Sequence, residues 1–185
     1  MKTRTAVPSV VIIALALVAN AVQPSDVWTT EAAFADGYAA VSRDVREALE
    51  MMPDARLSYR PVPEVRTFAA VVAHISAHSI STCADVRGEK PPAGVNQWNV
   101  AISRAELREQ IAQADAMCES AYRVPDLAAL NQVVVLADGR FKAERGNLLV
   151  NNLTHMTQYY GTLATYLRMN GLVPPTTARL RKAKP

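Results

Sequence analysis

The chain carries three histidines, His74, His78 and His155, and each falls on a stretch with helical spacing. His74 and His78 are one helical turn apart, a spacing at which two imidazoles can share one metal ion. His155 would come from a facing helix, the usual way a bundle builds a site in its core. The bland alternative for each is a core histidine with its hydrogen bonds satisfied, and a lone His-x-x-x-His recurs by chance. With all three on or beside core-facing stripes, at least two are expected to cluster. No serine–histidine–acid set, glycine-rich phosphate loop or paired-carboxylate arrangement emerges from the rest of the chain.

Four helical segments must position these side chains. The first spans about Thr30 to Met51, with Phe34, Tyr38, Val41, Val45 and Leu49 at spacings of four, three, four and four, and Pro53 ends it. The second starts at the N-cap Thr67 and runs to about Val86, its inward stripe reading Val71, His74, Ile75, His78, Thr82. Gly88, Pro91, Pro92 and Gly94 then break the chain in a connection longer than the usual ~2–8 residues between bundle helices. Ser103-Arg-Ala-Glu106 is a capping box opening the third helix, whose stripe is Leu107, Ile111, Ala114, Cys118 and Ala121. A short helix from Asp126 follows; Val133 to Leu136 is too β-branched to assign; Asp138-Gly139 marks a turn. The fourth long helix runs from about Arg145 to Asn170, with Asn152, His155, Tyr159 and Tyr166 beside its apolar stripe, and Gly171 and Pro174 stop it. The fold class is all-α, a four-helix bundle.

Residues 1–21 read as a secretory signal peptide: Lys2 and Arg4, an apolar run from Val10 to Val18, and the small-x-small site Ala19-Asn20-Ala21, with cleavage after Ala21. The expected location is periplasmic or secreted, and the membrane is touched only if the signal stays uncleaved. The domain is expected over residues 27–175, followed by a basic, flexible tail over 176–185. The formal charge is +3, but the two ends carry six positive charges and no acid, which leaves the body at −3. That balance does not favour nucleic acid as a partner. The two cysteines, Cys83 and Cys118, either form a disulfide in an oxidising compartment or stand as two buried thiols. Asn152-Leu-Thr154 matches a glycosylation acceptor but lies inside a helix and reads as chance. Trp28, Trp98 and Tyr59 read as packing residues.

The C-terminal helix supplies a more specific signal. It reads His155-x-x-x-Tyr159-Tyr160-Gly161-Thr162, then Tyr166-Leu167-Arg168 and Gly171-Leu172-Val173-Pro174-Pro175. Upstream, Ser58-Tyr59-Arg60-Pro61-Val62-Pro63-Glu64-Val65-Arg66-Thr67-Phe68 leads into Val72-Ala73-His74. The chain thereby resembles the exported branch of the DinB/YfiT-like superfamily, over about Thr30 to Pro175. The resemblance implies an up-down-down-up bundle with a long crossover between helices two and three. It also implies a three-histidine site for a divalent metal, often zinc or nickel, with one ligand from helix two and two from the last helix. Members include thiol-dependent transferases and many proteins of unknown activity. By position, His74 and His155 match two of the ligands.

The third position holds Tyr159. A phenol, with an ordinary pKa of about 10, must lose its proton to bind a divalent ion well, whereas neutral imidazole need not. Two readings follow: His78 moves in as third ligand, or the metal site is weakened or absent and Tyr159 packs against or bonds to His155. The first makes the protein a divalent-metal-dependent hydrolase or transferase. The second leaves a pocket that binds a small molecule or partner. The implied course runs helices two and three parallel, which places Cys83 and Cys118 near the same end, where a disulfide can form. A homodimer is left open.

Overall fold

The computed structural model describes residues 28–95 and 103–183; the signal segment 1–21 and Trp98 lie outside them. Four long helices form, each with a local reason to start and stop. Helix α1 (Thr30–Met51) begins where Thr29 accepts a bond from the Ala32 amide, and ends two residues before Pro53. Helix α2 (Phe68–Arg87) is capped by Thr67, which accepts from Ala70, and closes on Gly88 with φ +69°, the left-handed geometry that suits glycine. Helix α3 (Arg104–Tyr122) opens on the reciprocal Ser103–Glu106 capping box. Helix α4 (Leu127–Leu130) is one turn, capped by Asp126. Helix α5 (Arg145–Met169) carries the C-terminal motif and α6 (Pro175–Lys182) starts with proline in its first turn.

Long-range contacts give the direction of each helix. Glu50 of α1 pairs with Arg108 of α3 while Tyr38 and Ser42 reach Asp115, so those two helices are antiparallel. Arg104 at the start of α3 satisfies the Leu49 and Met52 carbonyls at the end of α1. His74 meets His155 and Ser79 meets Asn152, so α2 and α5 are antiparallel. Cys83 and Cys118, each near the C-terminal end of its helix, are joined by a disulfide with Sγ–Sγ 2.02 Å and Cα–Cα 5.1 Å, so α2 and α3 run side by side in the same direction. The course is up-down-down-up. The core between the helices is Val45, Leu49, Phe68, Val71, Ile75, Leu107, Leu149, Leu163 and Leu167, all nearly or fully buried.

One segment left unassigned by the sequence becomes a hairpin, and one expected to be flexible becomes a helix. Val133–Val135 and Lys142–Glu144 form an antiparallel two-stranded hairpin, β1 and β2, around the Asp138-Gly139 turn. The β-branched run decides for a strand once a partner strand is within reach. The expected flexible tail is instead largely helix α6. Arg179 bonds to Asp44 and Glu47 of α1 and so docks that helix on the bundle. A basic residue that finds two carboxylates stops behaving as a solvated end. The last two residues, 184 and 185, lie outside the described structure.

Candidate functional site

Antiparallel α2 and α5 bring all three histidines into contact, because the helical turn that separates His74 from His78 lies opposite the turn carrying His155. The Nε2 atoms of His74 and His155 are 3.1 Å apart. The ring of His78 lies flat on that of His155, centroids 3.6 Å apart and planes inclined by 12°. Tyr159, one turn beyond His155, packs its ring against both His74 and His155 at centroid distances of 4.7 and 4.6 Å. Its hydroxyl lies 3.4 Å from the donating Nη1 of Arg66, the residue just before the α2 cap. Tyr159 therefore packs on His155 while its hydroxyl is held by Arg66.

A buried polar chain fixes the chemistry of His78. The Leu149 carbonyl can only accept, and it accepts from the Tyr122 hydroxyl at 3.0 Å. That hydroxyl then accepts from Nδ2 of Asn152, also at 3.0 Å. The amide orientation leaves Asn152 Oδ1 as acceptor for Ser79 Oγ and for His78 Nδ1, each at 3.2 Å. His78 thus carries its proton on Nδ1 when neutral, and Nε2 is left with a lone pair. Asn152 is fully buried. The sequence marked it only as a residue beside the apolar stripe and a chance glycosylation match; Arg66 stood out only within the stretch that leads into α2, and Tyr122 and Ser79 carried no signal of their own. The one available hint was an amide three residues before His155 on a core-facing line.

Electrostatics keep the cluster neutral. Burial, then the neighbouring His78, His74 and Arg66, push His155 down to about 3. Burial, then Arg66 and His78, lower His74. Burial also lowers His78, against the opposing pull of its bond to Asn152. The buried Nδ1 of His155 has no partner among the described residues. A bare lone pair there costs less than an unpaired N–H, so the favoured tautomer has His155 Nε2–H donating to His74 Nε2.

The donors can be tested against the implied metal. Two Nε2 atoms 3.1 Å apart, on rings inclined at 58°, suit two ligands of a tetrahedral ion with bonds of about 2.0–2.1 Å. His78 does not complete the set. A ring-nitrogen lone pair lies in its ring plane, and the nearly parallel planes of His78 and His155 stay apart, so the two cannot aim at one ion. Tyr159 turns its oxygen to a guanidinium. Among the described residues no group of three or more His, Cys, Asp or Glu side chains is arranged to hold a metal ion. As arranged, the residues do not fit a three-nitrogen site.

A family model for the DinB superfamily matches residues 38–163, which include all three histidines and Tyr159. The chain belongs to the DinB superfamily. Two solved structures share the DinB-like architecture with it. One is the mycothiol-dependent maleylpyruvate isomerase, 17% identical with a TM-score of 0.57, and the other a histidine-to-alanine mutant of that enzyme, 16% identical with a TM-score of 0.58. Each alignment covers 73% of this chain and 61% of the other, so the chain spans under two thirds of those proteins. At such identities the likeness is one of fold. No curated protein matches the sequence.

Proposed function

We propose that this DinB-superfamily protein is exported and binds a small molecule at the His74–His155–Tyr159 cluster, a metal site that has lost a ligand. The observation that supports this reading is the hydroxyl of Tyr159, the residue standing where the family resemblance puts a third ligand, which accepts from Arg66 at 3.4 Å. What remains is a pair of neutral imidazoles sharing one proton, a phenol and a guanidinium, a set that can donate and accept hydrogen bonds to a polar ligand. The Cys83–Cys118 disulfide and the leader-like residues 1–21 support export. Elemental analysis of protein purified without an affinity tag is expected to find zinc and nickel well below one equivalent, and near-stoichiometric metal would overturn the reading. Intact mass of the secreted protein is expected to begin at Val22.

A second reading is a divalent-metal-dependent hydrolase or transferase held by His74, His155 and His78. The polarity of the Asn152 chain favours it, because His78 keeps a lone pair on Nε2 and a fixed partner on Nδ1, the pattern of a ligating histidine. It requires the His78 ring to leave its stack on His155. X-ray absorption on zinc-loaded protein separates the readings: three nitrogen ligands support the second, two or fewer the first.

A further inference from the structure

A cavity of about 570 Å³ opens between α1 and α3, on the side of the bundle away from the histidines. Its volume falls in the range of small-molecule sites, about 300–1,000 Å³. Alanine methyls form its walls, Ala35 and Ala39 from α1 and Ala116 from α3. Ala39 and Ala116 stand at exposed positions, so these small side chains leave a slot that is open to solvent. The back wall is the stacked pair Tyr38 and Tyr122, ring centroids 4.5 Å apart and planes inclined by 22°. Both hydroxyls are spent inside the protein, Tyr38 on Asp115 and Tyr122 on the Leu149 carbonyl, so these rings offer the slot hydrocarbon.

The polar end of the slot is biased toward donors. Asp115 accepts from Tyr38 and Ser42 at one oxygen and from Arg46 at the other. Arg46 spends only Nη2, on Asp115 and Ser42; its Nε and Nη1 have no partner among the described residues. A cationic ligand would compete with three donors already on Asp115. An anionic one finds spare guanidinium N–H groups on Nε and Nη1, which point in different directions and so offer a carboxylate single charge-assisted hydrogen bonds. At the other end Glu119 and Arg123 pair with each other on the exposed surface, a weak pairing that a ligand can displace.

We infer that the α1–α3 slot is a binding site for a small aromatic carboxylate, its ring between the alanine walls and against the tyrosine pair, its carboxylate on Arg46. The site is separate from the histidine cluster and stands whether or not that cluster holds metal. Isothermal titration of the full folded protein with naphthoate, and with naphthamide as its neutral counterpart, tests it. Saturable binding of naphthoate is expected, at least tenfold tighter than naphthamide. Ala39→Trp and, from the opposite wall, Ala116→Trp each fill the slot from exposed helix positions and are expected to weaken naphthoate at least tenfold. Arg46→Gln is expected to remove the preference over the amide, while His74→Gln leaves the affinity unchanged. The inference is overturned if naphthoate does not saturate at millimolar concentration, if both tryptophan variants bind it as the natural protein does, or if His74→Gln abolishes binding.

Discussion

His74 and His155 face each other through their Nε2 atoms at 3.1 Å, so one nitrogen donates and the other must keep its lone pair. At most one of the two rings can be an imidazolium while that contact stands. The contact makes the two rings share one proton between their Nε2 atoms, while burial holds both below the ordinary histidine range.

The stability of the fold should fall as pH drops from about 6.5, the ordinary histidine value. His155 is held at about 3 in the folded state, so the unfolded chain takes up a proton that the folded chain refuses. The unfolded state then binds more protons, and stability rises with pH across that window. The contribution is complete above about 6.5 and is lost progressively on the way down to 3. Thermal melts between pH 7 and 5, where carboxylates are still ionised, should show a shallower slope for His155→Gln than for the natural protein.

Tyr159→His should restore a third nitrogen beside His74 and His155. Zinc or nickel at about 100 times its dissociation constant then adds about 2.7 kcal/mol, which for a domain of this size raises the melting temperature by about 5–10 °C. Under the same conditions the natural protein should shift little. An equal shift in both proteins would show that Tyr159 does not limit metal binding.

Asn152→Leu should destabilise the fold by about 2–4 kcal/mol, because Tyr122, Ser79 and His78 all lose a buried partner. Urea unfolding measures the loss. Nitrogen-15 NMR of the natural protein should show His78 protonated on Nδ1, and the variant should show a mixture of tautomers.

Reduction of Cys83–Cys118 opens a loop of 35 residues in the unfolded chain, worth about 4 kcal/mol of stabilisation. A thiol count under denaturing, non-reducing conditions should be zero. The Cys83→Ala/Cys118→Ala variant should unfold at correspondingly lower denaturant.

Arg179→Ala should release α6 from α1 and leave Asp44, which is only 8% exposed, with only the more distant Arg43 as a cation, 3.9 Å away. The expected loss is about 1–3 kcal/mol. Amide exchange should rise across residues 175–182 and stay unchanged in α2, where the histidines lie.

The helices were legible because their signals are local. Thr67, the Ser103–Glu106 box, Pro53 and Gly171 act within one turn of chain, and the spacing of Val71, Ile75 and Leu107 needs only the helical period. The hairpin and α6 were not, because a strand needs its partner and Arg179 needs Asp44, 135 residues away. The histidines divide in the same way. Sequence alone determined that His74, His78 and His155 sit on helices with core-facing stripes, and that a tyrosine stands where the family resemblance puts a ligand. Only the tertiary structure decided which nitrogens meet. Ring orientation depends on partners from other helices: Asn152 turns His78 to one side, and Arg66 draws the Tyr159 hydroxyl away. Both are hydrogen bonds across more than seventy residues of chain, which no local pattern encodes.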